Sequence, residues 1–437
     1  MERVERGHFQ MKSIFRIICL ILLIIVLTHS AIAEEVYLET KRGAIQKIPI
    51  AVVITGDDQE LKSAVRKVLV NDLERSLYFD LIANDSLRLK GVPEKLDEAM
   101  RGQLISSGVE ALVVGQVVRD GEKIRLDGKL YETGSGELIY AKKYIGNNNI
   151  LRRIVHRLSD EIVFRMSGEK GIAQTRIVYV SDQAGRKELY IMDYDGYSSK
   201  MITGNRSINI SPEWSPDGSR ITYMSYRDGN PDVYVVDLNT SRRWRLTDYS
   251  GLDISPAWSP DGNTIAFSTG RDGNAEIYTM DREGKGLKRV TYIRGEDVSP
   301  TWSPTGAEIA FTSDKGGSPQ IYEMKSDGTN VRRLTFKGDY NSDPAWSPKG
   351  DRIAFACRSG GSFRICIINP DGSDLREITN GPGSDESPSW SPDGKWISFA
   401  SSRGGKWNIY MINADGSRLE RLTNNGSNNL SPDWSPN

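Results

Sequence analysis

The chain has 437 residues, 57 lysines and arginines against 58 acidic residues, and a formal net charge of −1. That length accommodates two or three domains, and a near-neutral balance gives no electrostatic reason to bind nucleic acid. Only three cysteines and three histidines are present, so metal sites built from those residues are not an organising theme.

In chain order, residues 11–33 read as a secretory signal. Lys12 and Arg16 precede an apolar run from Ile17 to Leu27, and Ala31, Ile32 and Ala33 form a small-residue cleavage site ahead of Glu34. The run is short for a membrane span, and no other segment is long enough. Residues 1–10 are polar and add nothing to such a signal, so either Met1 or Met11 can serve as the start. Cleavage after Ala33 removes Cys19 together with four basic and two acidic side chains, taking the net charge from −1 to −3. His156, Cys357 and Cys366 are the histidine and cysteines that then remain.

Residues 34–168 alternate strand and helix patterns. A strand at 48–54 is followed by a helix at 58–77, with Leu61, Val65, Val68, Leu69 and Leu73 at helical spacing. Residues 78–82 are strand-like, 93–106 helical, and 111–118, 123–131 and 138–144 read as three strands before a last helix at 149–165. The reading is a small α/β domain, joined through a linker at 169–175 to the rest of the chain.

From residue 176 a repeat takes over. Trp214, Trp258, Trp302, Trp346, Trp390 and Trp434 are spaced 44 residues apart, each within a near copy of Ser-Pro-x-Trp-Ser-Pro-Asp-Gly. A WD40-like unit of this length cannot bury its own apolar face and is the mark of a β-propeller blade. Ile177, Ile221, Ile265, Ile309, Ile353 and Ile397, each followed two residues later by Tyr or Phe, form one strand column; two further runs and the stretch before each Trp supply the others. The proline two residues before each Trp suits an edge, which makes that strand the innermost. Three strands at about 176–203 lack an inner strand, and residues 430–434 lack outer ones, so the two fragments should complete one blade. The expectation is a six-bladed propeller over residues 176–437.

Cys357 and Cys366 both interrupt repeat columns of Ser/Thr and Tyr within one hairpin. They are either two small buried thiols or a cross-strand disulfide formed in an oxidising compartment.

For enzyme chemistry the parts are missing: no nucleophile elbow, P-loop or dinucleotide fingerprint is found, and no cofactor is called for. His156, alone on a helix among Ile154, Leu158 and Ile162, reads as a surface or packing residue. Three columns of the propeller stand out instead. Five residues before each Trp lies an acid or its amide: Asn209, Asp253, Asp297, Asn341, Asp385 and Asn429. Three before lie Ser211, Ser255, Ser299, Asp343, Ser387 and Ser431. If alternate residues share a face, both columns ring the channel mouth with oxygens that a hard cation such as Ca²⁺ could use, although no EF-hand spacing accompanies them. The plainer reading is that these side chains satisfy backbone donors in the turn. Between the two columns the repeat varies, as Ile210, Ile254, Val298, Ser342, Glu386 and Leu430. An aliphatic rim beside polar oxygens fits a protein-binding mouth, and it equally fits packing between blades.

The signal, the small α/β domain, the junction from Gly171 to Ser181, the six Trp-Ser-Pro repeats and the terminal run Ser431 to Asn437 together resemble the TolB family of the Tol-Pal system. The resemblance implies a monomeric, non-enzymatic periplasmic adaptor that supports outer-membrane integrity and envelope constriction at division. It implies that the lipoprotein Pal docks at the channel mouth, here Ile210, Asp253, Ile254, Asp297, Val298, Ser299, Ser342, Asp343, Glu386 and Leu430. It further implies that TolA binds the start of the mature chain, here Glu34, Glu35, Val36, Tyr37, Leu38 and Glu39, whose alternation suits strand addition. A secreted propeller hydrolase or carbohydrate-binding propeller is the alternative, and the missing catalytic parts weigh against it.

Overall fold

The computed structural model describes residues 47–83, 92–292 and 294–437. The expected signal and the segment Glu34 to Glu39 lie outside these residues.

A five-stranded sheet in the order β2-β1-β3-β4-β5 organises the first part. β1 (Ile48–Thr55) pairs parallel with β2 (Phe79–Leu81) and β3 (Ala111–Asp120), while β4 (Lys123–Glu132) and β5 (Leu138–Gly146) continue antiparallel. Side chains alternate across β1: Ile50 and Val52 face one core, Ala51 and Val53 the other. On the first face lie α1 (Gln59–Arg75) and α3 (Leu151–Ser167); on the second lies α2 (Glu98–Ser106). α1 starts where the Asp58 carboxylate accepts the Leu61 N–H at 3.0 Å, and α3 stops at Gly168, whose φ of 75° is open to glycine. α2 begins five residues later than the pattern suggests, because Asp97 caps it by accepting the Met100 N–H.

Six four-stranded sheets follow, and together they make the propeller. The first complete blade uses Asn209–Trp214 as inner strand, then Arg220–Ser225, Asp232–Asp237 and Arg243–Arg245. The last sheet joins Asn429–Trp434 to Arg176–Ser181, with Leu430 opposite Val180 and Trp434 opposite Ile177. The ring is therefore closed by strands from opposite ends of the repeat region. Its blade cores stack Tyr179, Tyr223, Phe267, Phe311 and Phe399 on the tyrosine of the next strand, with ring centres 5.8–6.3 Å apart.

Every inner strand is bulged at the same place. The residue before its proline is left-handed, with φ of 45–55° at Ser211, Ser255, Ser299, Asp343, Ser387 and Ser431. In the first blade Ile210 pairs with Met224 and Glu213 with Thr222, so two inner residues, 211 and 212, stand opposite Tyr223 alone. Proline offers no N–H to the ladder, and the bulge absorbs the gap.

One blade departs from the aromatic pattern. Cys366 takes the tyrosine position opposite Phe355, and the hairpin register puts it diagonal to Cys357 on one face. The two sulfurs are joined as a disulfide, with Cα atoms 5.8 Å apart. Protein unfolded without reductant should therefore resist alkylation at both positions, and reduction should lower stability by about 2–3 kcal/mol for so short a loop. Quantitative alkylation of unreduced protein would end this assignment.

The α/β region docks on the end of the ring where the inner strands finish. Arg75 at the end of α1 pairs with Glu420 at 2.6 Å; its carbonyl accepts the Trp396 indole N–H at 2.8 Å, and the Ser76 carbonyl accepts from Lys395 at 3.0 Å. Trp396 is fully buried. It stands out of register with the six repeat tryptophans, in a column that elsewhere reads Arg176, Arg220, Thr264, Glu308 and Arg352.

Candidate functional site

The channel is a cavity of about 410 Å³ along the ring axis. The bulge decides what lines it. Ser211 and its five counterparts reach the wall, followed by the prolines and then by Glu213, Thr301, Ala345, Ser389 and Asp433 from the position before each Trp.

The outer acid/amide column does not share that wall, which corrects the oxygen ring expected at the mouth. Asn209, Asp253, Asp297, Asn341, Asp385 and Asn429 are each at most 1% exposed. Asn209 donates to Glu188 of the neighbouring blade at 2.9 Å, Asn341 donates to Gln320 at 2.8 Å, and Asp385 accepts both bonds from Arg403 at 2.9 Å. Asn209, Asn341 and Asp385 thus fasten strands to one another, whereas both carboxylate oxygens of Asp253 and of Asp297 are buried without a hydrogen-bond partner among the described residues. Burial pushes the Asp297 carboxyl up to about 6. Asp253 and Asp297 are accordingly withdrawn from any surface a partner could touch.

The intervening column remains half-exposed: Ile210, Ile254, Val298, Ser342, Glu386 and Leu430. Ile210 and Leu430 also pack into blade cores, whereas Ile254 and Val298 join no core cluster. Beside them the Asp343 carboxylate accepts from Ser299 at 3.1 Å. Burial raises the pKa of Asp343; burial, then the charges of Asp343 and Asp385, raise that of Glu386. The same end carries Tyr292 and Phe336, each 74% exposed, in the loops entering two adjacent inner strands.

Deeper in the channel is a carboxyl pair that the column reading missed. Glu213 accepts the Trp258 backbone N–H at 3.0 Å, while Asp433 accepts that of Trp214 at 2.8 Å and the Ser389 hydroxyl at 2.8 Å. Burial pushes Asp433 up to about 6, and burial, with the charge of the neighbouring Asp433, raises Glu213 well above the usual carboxylate range. The signal was available: Glu213, Ala257, Thr301, Ala345, Ser389 and Asp433 form a column with two acids. With Asp343 they line the channel with carboxyl groups at two levels, whose raised pKa values favour the protonated form.

His156 has a buried role away from the channel. Its Nδ1 lies 2.8 Å from an Asp72 oxygen, the same carboxylate accepts from Ser159 at 2.7 Å and from Tyr194 of the propeller at 2.5 Å, and His156 Nε2 faces Asp195 at 3.8 Å. Ser, Asp and His are the residue types of a hydrolytic triad, but here the serine bonds the carboxylate and is fully buried. Nor do Asp72, His156 and Asp195 offer a vacant metal site, since Tyr194, Ser159 and Arg152 already occupy their oxygens.

Fold and site define a two-domain β-propeller protein whose α/β region covers one end of the ring and whose opposite end presents a carboxyl-lined channel with an aliphatic rim. Family profiles agree domain by domain: the TolB amino-terminal domain matches residues 36–139, and the TolB beta propeller domain matches 163–366 and 341–437. The chain belongs to the TolB family. The Tol-Pal system protein TolB of Geobacter sulfurreducens is 38% identical over 207 residues, 46% of this chain and 47% of that protein; its namesake in Desulfosudis oleivorans is 35% identical over 213. These alignments span about half the length of the curated relatives. The crystal structure of TolB from Acinetobacter baumannii is matched over 90% of this chain and 97% of that one, with 29% identity and a TM-score of 0.78.

Proposed function

We propose that this chain is a non-enzymatic periplasmic adaptor of the Tol-Pal system, with Pal docking at the channel mouth and TolA at Glu34 to Glu39. The observation that carries the Pal part is the half-exposed rim of Ile254, Val298, Ser342 and Glu386 around a carboxyl-lined channel, at the end of the ring turned away from the α/β region. Tyr292 and Phe336 add exposed aromatic surface at that end, and aromatic anchors dominate the energetics of many interfaces. The TolA part rests on family likeness and on the alternating pattern of residues 34–39. In this reading the protein acts as a monomer in outer-membrane integrity and envelope constriction.

Val298→Arg places a bulky charge in the contact and should weaken Pal by about 2 kcal/mol or more; Glu386→Lys reverses a rim charge and should cost less, in a salt-dependent way. Lys285→Glu, exposed at the opposite end, is the control. Titration calorimetry decides: both mouth variants binding Pal as tightly as the wild type, with a weakened control, would place the site elsewhere.

A further inference from the structure

The α/β region carries an unabsorbed feature far in sequence from the channel mouth. β5 is the last strand of its sheet, and beyond its ladder to β4 its backbone groups make no backbone hydrogen bond to other described residues. Between this edge and α3 runs a groove of about 380 Å³ whose polar lining is Lys142, Lys143, Arg153 and Arg157, with Tyr144, Ile145 and two α3-side isoleucines as its apolar part. Among the described residues no carboxylate lines it. The acids beside it are already engaged: Asp127, opposite Lys143 in the register, pairs with Arg125, and Glu161 on α3 pairs with Arg165.

We propose that the β5 edge and this groove bind an extended acidic peptide segment by strand addition. Strand alternation puts Lys142 on the same face as Tyr144, which packs into the core under α3. A strand added outside β5 would lay every second side chain along Lys142, Arg153 and Arg157, so acidic residues at alternate positions neutralise the groove while main-chain bonds supply length-dependent affinity. On the other face Ile145, 63% exposed, would meet the intervening side chains. Lysines on an edge strand also oppose pairing with a second copy of the same edge, because like charges would then face each other. The edge is thus closed to itself and open to an acid, the combination of attraction and repulsion that makes an interface selective.

The test uses the full chain and the peptide fluorescein-(Thr-Glu)4-Thr-amide, labelled at its N-terminal amine and followed by anisotropy. Saturable binding is expected, weakened roughly ten-fold or more in Lys142→Glu/Arg153→Glu and to a similar extent when proline replaces the central threonine of the peptide. The proline peptide keeps its charge and loses a ladder donor, so equal binding of both peptides would reduce the site to charge attraction and overturn strand addition. Absence of saturable binding to the wild type, or undiminished binding to the variant, would overturn the site itself. A dimer in sedimentation that the variant abolishes would assign the edge to a second copy instead. Thermal unfolding verifies that the variant is folded; Lys142→Thr/Arg153→Gln replaces it if it is not, with the same expected loss.

Discussion

Deletion of residues 428–437 is expected to lower the unfolding temperature by on the order of 10 °C or to abolish cooperative unfolding. The deleted strand fills the inner position of the closing blade. Trp434 is 5% exposed and donates its indole N–H to Thr175 at 2.8 Å, while Trp214 in the next blade loses both of its donations to Asp433. Burial of one such tryptophan is worth about 3–5 kcal/mol by analogy with truncation to alanine. The exposed edge of Arg176–Ser181 and the orphaned Trp214 donors add to that. Calorimetry of the deleted protein is the measurement, and a cooperative transition at the wild-type temperature would contradict closure by this strand.

Asp72→Ala should be the most damaging single substitution between the two parts of the molecule. Asp72 is 4% exposed and holds His156, Ser159 and Tyr194. Its removal leaves a buried imidazole and two hydroxyls without their common acceptor. Breaking a buried charged network in this way costs about 3–5 kcal/mol. A pH dependence accompanies it. Burial opposes a charge on His156, but the hydrogen bond and charge of Asp72, helped by Asp195, lift its pKa above the usual 6.5. The folded pKa being the higher one, the stabilisation is fully present below pH 6.5 and is lost as pH rises through the folded value. Wild type should therefore lose stability relative to His156→Asn as pH rises from 6.5 into the alkaline range, as read by denaturant midpoints. A constant difference across that range would remove the imidazolium from this contact.

Blades were legible because each repeats the same local problem: a strand of period two, a turn rich in Asp and Gly, and a tryptophan column 44 residues apart. The acid/amide column was misplaced for an equally local reason. Counting Asn209 and Ser211 onto one face assumes an unbroken pleat, whereas Ser211 is left-handed and is one of the two residues that stand opposite Tyr223 at the bulge. The same inversion brings Glu213 and Asp433 into the channel wall. The contact between the α/β region and the ring left no periodic trace, since Asp72 meets Tyr194 across 122 residues and Arg75 meets Glu420 across 345. Only the out-of-register Trp396 hinted at it.

Closure by Asn429–Trp434 also orders events in time. Residues 176–201 come first in the chain and must wait, with one edge unsatisfied, until the five blades that follow them are in place. The two halves of the closing blade are separated by about 230 residues of chain. Until Asn429–Trp434 pairs with Arg176–Ser181, that strand keeps an open edge, the kind of edge that can pair with a neighbouring chain instead.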